Sequence, residues 1–299
     1  MNKKIGIGLV ALLAWCSVSV AQETDGQINP NSLLGIPKYE QLYKVKVWRN
    51  MDLREKQNKG FYAKGNEMTK IIIAAIKSGE LADVYESDSL TTKKPKDVFI
   101  SGLTAQAGQT MSPWDPAASY YVGDRVSYNG KDYEATDNST GVNPSTSKDQ
   151  WQPTSAGKAI EFSQAQMHKL TLVEDVIFDK RRSRLYYDIL AIGIEAYDEN
   201  AGGYRKLGYL KYKDLEKVFR NHPDEAIWFN RYNTAENRNY ADAFLLRLFH
   251  ATIDKVENPD DDRIFDTYLS NGRPYREAVW ATEWEEMKMM EREHNLWEF

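Results

Sequence analysis

The first half of the chain alternates short apolar patterns with polar loops. The segment "YKVKVWRN" (43–50) alternates valines with lysines, a period of two that predicts a half-buried β-strand. The segment "NEMTKIIIAAIKSG" predicts a helix that begins at a capping Asn66 and ends at Gly79. Residues 22–40 contain two prolines and few apolar side chains, so we expect an extended arm before the first strand.

The strongest strand pattern lies in the middle of the chain, in "KLTLVEDVIFDKRRSRLYYDILAIGIEAYD" (169–198). It predicts two long strands joined through "DKRRS". Residues 185–197 are apolar at both alternating positions for much of their length, which is typical of a central strand with both faces covered. The cationic run 180–184 fits a solvated turn between the strands, with a basic patch as the alternative.

The C-terminal third is predicted to be mainly helical. The segment "DLEKVFRNH" begins at a capping Asp214, and "NYADAFLLRLFHATIDKV" (239–256) places apolar residues at helical spacing. The segment "DRIFDTYLSNG" ends at a glycine, and Pro274 opens a helix over "YREAVWATEWEEMKMMEREHNLWEF". These patterns predict an α+β fold, with a mixed sheet from the central strands and helices packed from the C-terminal half.

One stretch between these regions has a different character. The segment "SYYVGDRVSYNGKDYEATDNSTGVNP" (119–144) combines short Tyr- and Val-rich strands with an Asn129-Gly130 turn and a Gly/Pro loop. Its flanks, "SGLTAQAGQTMSP" and "PTSAGKA", are rich in small and polar residues. We therefore predict a small all-β module, inserted at residues 113–153, that interrupts the α+β fold; we call it the insert.

Composition sets the broad class of the protein. The chain has 299 residues, of which 41% are hydrophobic and 28% charged, with a formal net charge of -5. A chain of this kind can bury a substantial core, as one large domain or two of ordinary size. Neither the charge nor any basic stripe with interleaved aromatics indicates a nucleic-acid partner, so none is expected.

The first 21 residues predict a cleaved signal peptide. Two lysines precede the short apolar run "IGIGLVALLAW", and small residues ending at Ala21 follow it. That run is shorter than the ~18 residues that a membrane span needs. Cys16 is the single cysteine and follows Trp15, where a lipoprotein signal would have a small residue. An exported chain without disulfides suits the bacterial envelope.

Residue types that are typical of catalytic or metal sites are scattered along the chain. The histidines stand apart, and none forms an H-E-x-x-H arrangement: His168, His222, His250 and His294. Glu291 and His294 form one E-x-x-H, whereas a carboxylate-bridged metal pair needs two. The acidic run 260–262 lacks the alternate spacing and the glycine of a calcium loop. We therefore predict a protein that is not an enzyme and uses no cofactor or metal.

Residues 114–151 resemble the small chitin- and cellulose-binding modules of the family 5/12 type. The match runs from Trp114 through "GDRV", "YNGK" and "YEA" to Trp151, in matching order and spacing. The resemblance implies a short, twisted β unit whose ends lie close together, and sugar binding through exposed aromatic rings. In such modules the rings flank a Gly-x-Asn-Pro loop, where this chain has "TDNST" and Val142.

Three rings of the insert are candidate carbohydrate contacts, namely Tyr121, Trp114 and Tyr128. Trp114 and Tyr128 also fit the core of the module itself, which leaves Tyr121 as a lone spare ring. We therefore favour a structural or spacer role for the insert over retained sugar binding.

The rest of the chain resembles the GldN (PorN) family of the type IX secretion and gliding-motility machinery. The resemblance rests on "VWRNMDLREKQN", on "RRSRLYYDILAIGIEAYD" and on the tail, with "NYADAFLLRLFHATIDKVENPDDDRIFDTYL" and the terminal "EREHNLWEF". It divides the chain into a signal peptide (1–21), two parts of a GldN-like domain (22–112 and 154–299) and the insert (113–153). The insert is a departure from what we expect of this family.

The GldN resemblance implies a non-enzymatic, periplasmic structural subunit. Such a subunit would self-associate in a ring with a GldK-like lipoprotein (PorK in related systems) at the inner face of the outer membrane. GldM- and GldL-like motor proteins of the inner membrane would contact that ring. The subunit would be held at the outer membrane through its lipoprotein partner. The insert adds peptidoglycan as a further candidate partner.

The last predicted helix is the clearest candidate partner interface. Trp280, Trp284, Met287 and Met290 project from one side of it, although a core-facing helix explains the same spacing equally well. Two other functions stay open. An exported carbohydrate-binding protein would act through the insert on chitin-like or peptidoglycan glycans and would need an exposed aromatic row. A polysaccharide-active enzyme is disfavoured, because appended modules usually lie at chain ends.

Overall fold

The computed structural model describes residues 28–104, 112–154, 161–198 and 201–297. The predicted signal peptide, with Cys16, lies outside these residues. The strands are β1 (Gln41–Asp52), β2 (Tyr62–Ala63), β3 (Asn66–Glu67), β4 (Val84–Tyr85), β5 (Lys93–Lys94), β6 (Ser112–Pro113), β7 (Ser119–Tyr120), β8 (Arg125–Tyr128), β9 (Lys131–Ala135), β10 (Ser139–Thr140), β11 (Trp151–Thr154), β12 (Lys169–Asp179), β13 (Arg184–Asp198), β14 (Gly203–Lys211), β15 (Ile227–Trp228), β16 (Arg238–Asn239) and β17 (Thr252–Val256). The α-helices are α1 (Met68–Ser78), α2 (Lys96–Gly102), α3 (Tyr212–Asn221), α4 (Tyr240–Leu245), α5 (Ile264–Ser270) and α6 (Tyr275–Trp297).

A seven-stranded sheet forms the centre of the fold, in the order β17–β1–β12–β13–β14–β4–β5. Every pairing described in it is antiparallel. The predicted α+β class is confirmed, but the expected mixture of parallel and antiparallel strands is wrong for this sheet. The strands β12, β13 and β14 follow one another through short turns, which reverse the chain and leave no length for the crossover that parallel pairing needs.

The two longest central strands form the hairpin that the sequence predicts. Strand β12 pairs with β13 along its whole length, and β13 pairs with β14 on its other side. Strand β1 pairs with β12 from the opposite side. Both strands are therefore interior to the sheet, which confirms the central position predicted for residues 185–197 and explains their apolar residues on both faces.

One face of the sheet carries the main core. Side chains alternate along a strand, so Met51 of β1 and Leu172 of β12 point to this face. Helices α1 to α4 pack apolar residues, including Phe244, against it. Helix α6 covers the same face further along, where Met289 and Val47 belong to one buried cluster. Each such large buried side chain contributes roughly 1.5–3 kcal/mol to the free energy of folding.

The opposite face of the sheet is covered by smaller elements. Trp48, Val173 and Tyr209 form a cluster there with residues of the segment between β4 and β5. The Tyr209 ring lies over Gly193, where an added Cβ would stand only 2.7 Å from the ring. A glycine in the middle of β13 therefore lets an aromatic side chain pack directly on the backbone.

The prediction of one helix over residues 239–256 is wrong. Helix α4 ends at Leu245, and Thr252–Val256 form the edge strand β17, which pairs with β1. The chain leaves the helix at Arg247, whose φ of +51° is the left-handed conformation that ends many helices. The guanidinium of Arg247 binds the buried carboxylate of Glu174 at this turn, so a tertiary contact overrides the local helical pattern.

Helix starts are less well predicted than helix ends. Gly79 ends α1 as expected, with φ of +90°. Helix α1 begins at Met68, two residues after the predicted Asn66 cap, whose side-chain amide instead donates to a backbone carbonyl at 3.2 Å. Helix α3 begins at Tyr212, two residues before the predicted Asp214 cap. In both helices the observed first residue is buried, so core packing decides where the helix starts.

Residues 112–154 form sheets of their own. Strands β11–β9–β8–β6 make a four-stranded sheet, and β10 pairs with β7. The predicted Asn129-Gly130 turn joins β8 to β9, with positive φ at both residues. Trp151 and Tyr133 lie in a small core. Within the described residues, none of these strands pairs with the seven-stranded sheet.

The chain segments before and after residues 112–154 lie side by side. Thr104 and Glu161 form an antiparallel β-bridge, and the Phe162 N–H donates to the Leu103 carbonyl at 2.8 Å. Lys77 of α1 adds an ion pair with Glu161. We call the four bridging residues, 103–104 and 161–162, the neck, because they join the insert to the rest of the molecule.

Candidate functional site

Helix α6 buries one side and leaves the other in solvent. Ala278, Thr282 and Met289 are its buried residues. The four side chains predicted as an interface are all exposed: Trp280 (53%), Trp284 (55%), Met287 (55%) and Met290 (58%). We call these four residues the outer face. The core-facing interpretation of their spacing is therefore excluded, and binding of a partner by this face stays a prediction.

Two carboxylates interrupt this apolar stripe. Glu283 and Glu291 are exposed and stand three and eleven residues after Trp280, which places them on the same side of the helix. The ion pairs that the structure describes for α6 use other carboxylates: Glu277, Glu285 and Glu286. The outer face therefore combines large apolar surface with accessible negative charge.

A buried ion network attaches α6 to the sheet. Glu174 on β12 is fully buried and accepts hydrogen bonds from Arg49 Nε and Arg247 Nη1, each at 2.9 Å. Arg49 also forms a two-pronged pair with Glu286 of α6. The Tyr187 ring lies 5.8 Å from one guanidinium and 4.6 Å from the other. The network thus joins β1, β12, the turn after α4 and the last helix.

The carboxylates of the network favour the charged form of Arg49. Burial by itself would lower the pKa of Arg49, but the carboxylates of Glu174 and Glu286 outweigh burial and raise that pKa. Loss of one partner from such a buried pair leaves an uncompensated charge away from water, which is strongly unfavourable. The helix that presents the outer face is therefore attached to the sheet through Arg49.

The three candidate sugar contacts of the insert lie in different environments. Tyr121 is 64% exposed. Trp114 and Tyr128 are half-buried, and their rings meet edge to face with centroids 5.2 Å apart. The Tyr128 hydroxyl accepts from Asn143 Nδ2 at 2.8 Å. Two of the three rings therefore take part in the packing of the insert, and Tyr121 is the ring with an open face.

Two buried aspartates hold the segment before β1. Asp175 and Asp188 are direct cross-strand partners on β12 and β13. Asp175 pairs with Lys44 at 2.6 Å, and Asp188 accepts from the Leu33 N–H at 3.3 Å. One oxygen of each carboxylate has no partner in the described part of the chain. Burial raises the pKa of Asp188, and the neighbouring charge of Asp175 adds to the rise.

The buried histidine, His168, makes structural contacts rather than ligating a metal with described neighbours. Within the described ranges, no group of three or more His, Cys, Asp or Glu side chains is placed to hold a metal ion. His168 donates to the Ala165 carbonyl at 3.0 Å and bonds the Tyr204 hydroxyl at 2.9 Å, and burial lowers its pKa. No helix among the described residues is both apolar enough and long enough to cross a lipid bilayer.

A polar pocket of about 230 Å³ on the opposite face of the sheet was not predicted. Trp48 Nε1 donates to Asp88 at 2.6 Å, and Lys255 lies 3.8 Å from the Trp48 ring while it pairs with Asp261 at 2.5 Å. These residues come from distant parts of the chain, so no local pattern could indicate them. These polar groups bind one another through a hydrogen bond, a cation–π contact and an ion pair, which stabilise the edge strand β17.

These features define a class of protein: an α+β protein built on an antiparallel sheet, whose accessible chemistry is a fixed surface of aromatic and methionine side chains. The family model of the gliding motility associated protein GldN matches residues 36–298. The chain belongs to the GldN family. Membership confirms the resemblance in the tail and centre of the sequence and assigns the chain to the gliding-motility and type IX secretion machinery. The family is one of structural components and is not a known enzyme family. No curated protein matches the chain.

Proposed function

We propose that this chain is a non-enzymatic structural subunit in the periplasm, which forms a ring with a GldK/PorK-like outer-membrane lipoprotein in the type IX secretion and gliding apparatus. The lipoprotein holds it at the inner face of the outer membrane, and GldM/GldL-like motor proteins contact the ring. Family membership supports the machinery, and the outer face of α6 supports the structural role.

The outer face is the observation that carries this proposal. Four large apolar side chains stand in solvent on one helix, and the same helix is fixed to the sheet by a buried ion network. Contiguous apolar patches of this kind mark interaction sites, and Trp and Met are enriched in protein interfaces. A rigid helix loses little conformational entropy on binding, so most of the interaction energy appears as affinity.

The insert is, in this proposal, a spacer attached to a GldN-like domain. Trp114 and Tyr128 are engaged in its own packing, so Tyr121 alone offers an open ring for a sugar. Stable grip on a polysaccharide generally needs more than one such contact, because each ring contributes a modest energy. As a secondary role, the insert contacts peptidoglycan through the exposed ring of Tyr121.

The first prediction tests the outer face. Replacing Trp280 and Trp284 by serine removes two exposed rings without touching the buried side of α6, so the chain should fold normally. Each interface ring of this kind contributes about 1–2 kcal/mol or more, so incorporation into a large envelope particle should fall at least about tenfold. The measurement is affinity purification of the tagged chain from detergent-solubilised envelopes, followed by particle sizing and mass spectrometry.

A matched control removes apolar surface elsewhere. Tyr39→Ser with Val98→Ser changes two side chains that are also half exposed and should leave the particle intact. Recovery of the unmodified chain as a free monomer, or in a particle without an outer-membrane lipoprotein, would contradict the proposed function. A free monomer that is retained on chitin or peptidoglycan would favour the carbohydrate-binding alternative.

A further inference from the structure

A second exposed surface follows the end of β1 and is both basic and aromatic. A cleft of about 360 Å³ lies between residues 56–60 and 228–232. Three of its lining side chains are cationic and three are aromatic: Lys56, Lys59, Arg231, Trp228, Phe229 and Tyr232. No described acidic residue lines it. We call this surface the basic cleft.

The loop that forms one wall of the basic cleft is ordered by its own hydrogen bonds. The Phe229 N–H donates to the Gly60 carbonyl at 2.9 Å, which ties the two walls together. The Asn230 side-chain oxygen accepts from the Tyr232 N–H at 3.0 Å, and the Asn230 backbone N–H donates to the Asn237 side-chain oxygen at 2.9 Å. Tyr232 is nevertheless 84% exposed. A loop that holds an aromatic ring in solvent in a fixed conformation has already lost the entropy that binding would otherwise cost.

The charges of the basic cleft lack partners of opposite sign. Within the described residues, Lys56, Lys59 and Arg231 form no ion pair, and Arg231 lies 5.5 Å from the Tyr232 ring. The cleft therefore offers positive charge next to aromatic surface, which suits a ligand that carries carboxylates among apolar groups.

The outer face of α6 has that complementary chemistry. Residues 275–297 contain six acidic side chains against three Lys and Arg. Glu283 and Glu291 lie in the same helical stripe as the exposed rings and methionines, so carboxylates alternate with apolar surface. Opposite charge steers two surfaces together, and aromatic and methionine side chains supply the buried centre of a contact.

We infer that the outer face of α6 in one copy of this chain docks in the basic cleft of a neighbouring copy. The inference rests on the proposed ring function and names the contact by which copies join. The basic cleft is lined by residues 56–60 and 228–232 and the outer face lies on residues 280–290, so the two surfaces share no residue. A contact between two unlike surfaces is head-to-tail, and its repetition closes into a ring when the rotation between copies divides a full turn.

The first test joins the two surfaces covalently. Cys16 lies in the predicted signal peptide and is the single cysteine, so introduced cysteines have no competitor in the mature chain. Two differently tagged full-length chains are expressed together, one with Tyr232→Cys and the other with Met287→Cys. Mild oxidation of intact envelopes should link the two tags in a disulfide dimer. Cells in which both tagged chains carry the same substitution should give little dimer, because two outer faces, or two basic clefts, do not contact each other in this arrangement.

The second test reverses the charges. Lys59→Glu with Arg231→Glu should lower the yield of the linked dimer at least about tenfold, and Glu283→Lys with Glu291→Lys should do the same. When the Tyr232→Cys chain carries the first pair of substitutions and the Met287→Cys chain carries the second, the yield of the linked dimer should be restored. The matched control is Lys148→Glu, an exposed lysine of the insert, which should have no effect. A dimer insensitive to both reversals, or one formed only between identical cysteines, would overturn the inference.

The same envelopes separate this inference from the proposed function. Mass spectrometry of the tagged chain reports whether a lipoprotein and a large particle are present. If the lipoprotein and the particle are present but the Tyr232→Cys and Met287→Cys chains are not linked, the docking contact alone is refuted. Absence of lipoprotein and particle from the unmodified chain would refute the proposed function, whatever the cysteines show.

Discussion

At the residue scale, the paired aspartates beneath the segment before β1 show how backbone geometry can force like charges together. Asp175 and Asp188 face each other across β12 and β13, where opposed side chains lie about 4.5–5.5 Å apart. Lys44 compensates Asp175 at 2.6 Å, while Asp188 has backbone and hydroxyl donors but forms no ion pair with any described cation. The pKa of Asp188 rises for this reason, since burial disfavours its ionised form.

The prediction at this scale concerns Asp188→Asn. A raised pKa in the folded state means that folding binds a proton near acidic pH. The unmodified chain therefore loses stability as pH rises from about 4 through the raised pKa. Asparagine keeps the acceptor for the Leu33 N–H and adds a donor for the unpartnered oxygen of Asp175. At pH 7 the variant should be more stable by about 1 kcal/mol, and the gain should vanish near pH 4. Urea unfolding followed by circular dichroism at several pH values measures this.

Asp188→Leu is the control for that experiment. It removes the same charge but also the acceptor for the Leu33 N–H, so the arm before β1 should loosen at every pH. A stability difference for Asp188→Asn that does not change with pH would show that ionisation of Asp188 is not the cause.

At the scale of elements, a single buried carboxylate organises the ion network between β1, β12 and the turn after α4. Glu174 forms ion pairs with Arg49 and Arg247. The more accessible Glu286 of α6 also pairs with Arg49. Glu174→Ala leaves both guanidinium groups without their buried partner and should lower the free energy of unfolding by about 3–5 kcal/mol. Glu286→Ala acts at a partly exposed position and should cost no more than about 1 kcal/mol. Equal losses in urea unfolding would contradict the central role of Glu174.

Elements that depend on local sequence signals could be predicted, whereas the turn that depends on Glu174 could not. Strands β12 and β13 follow from their apolar runs, and the ends of α1 and α5 follow from glycines, because these signals are local. Residues 246–256 could not be predicted, since the left-handed turn at Arg247 depends on Glu174, far away in the sequence. The outer face was identified by spacing alone, but only burial could tell exposed from core-facing.

The two walls of the basic cleft show the same limit for a candidate site. Residues 56–60 and 228–232 are unremarkable loops when each is taken separately. They become one surface because the Phe229 N–H meets the Gly60 carbonyl and the Trp228 ring lies on Gly60, where an added Cβ would come within 2.3 Å of Nε1. A contact between segments so far apart follows from the fold and has no local pattern.

At the scale of the whole molecule, the neck brings together the two chain segments that flank the insert. Thr104 and Glu161 form an isolated β-bridge, in which paired Cα atoms lie about 4.5–5.5 Å apart. A short Gly/Ser linker from Thr104 to Glu161 should therefore give a folded protein with a melting temperature within about 4 °C of the original. It should also keep its place in the large particle, if the insert is a spacer. Thermal melts and particle sizing measure both outcomes.

A shorter join provides the control for the deletion. Linking Gly102 to Ser163 removes the neck as well, including the buried Leu103 and Phe162, and should lower the melting temperature clearly. Loss of the particle after the first deletion, in a chain that still folds, would show that the insert itself contacts a neighbour.

The neck also has a consequence for microscopy. A terminal fusion risks blocking either the processing of the predicted leader or the last helix, which carries the outer face. The paired backbone at residues 103–104 and 161–162 instead offers an internal attachment point between two segments that already lie side by side. A fluorescent protein with closely spaced ends, exchanged for the insert at this point, would report the position of each copy in living cells while the outer face and the basic cleft stay unmodified.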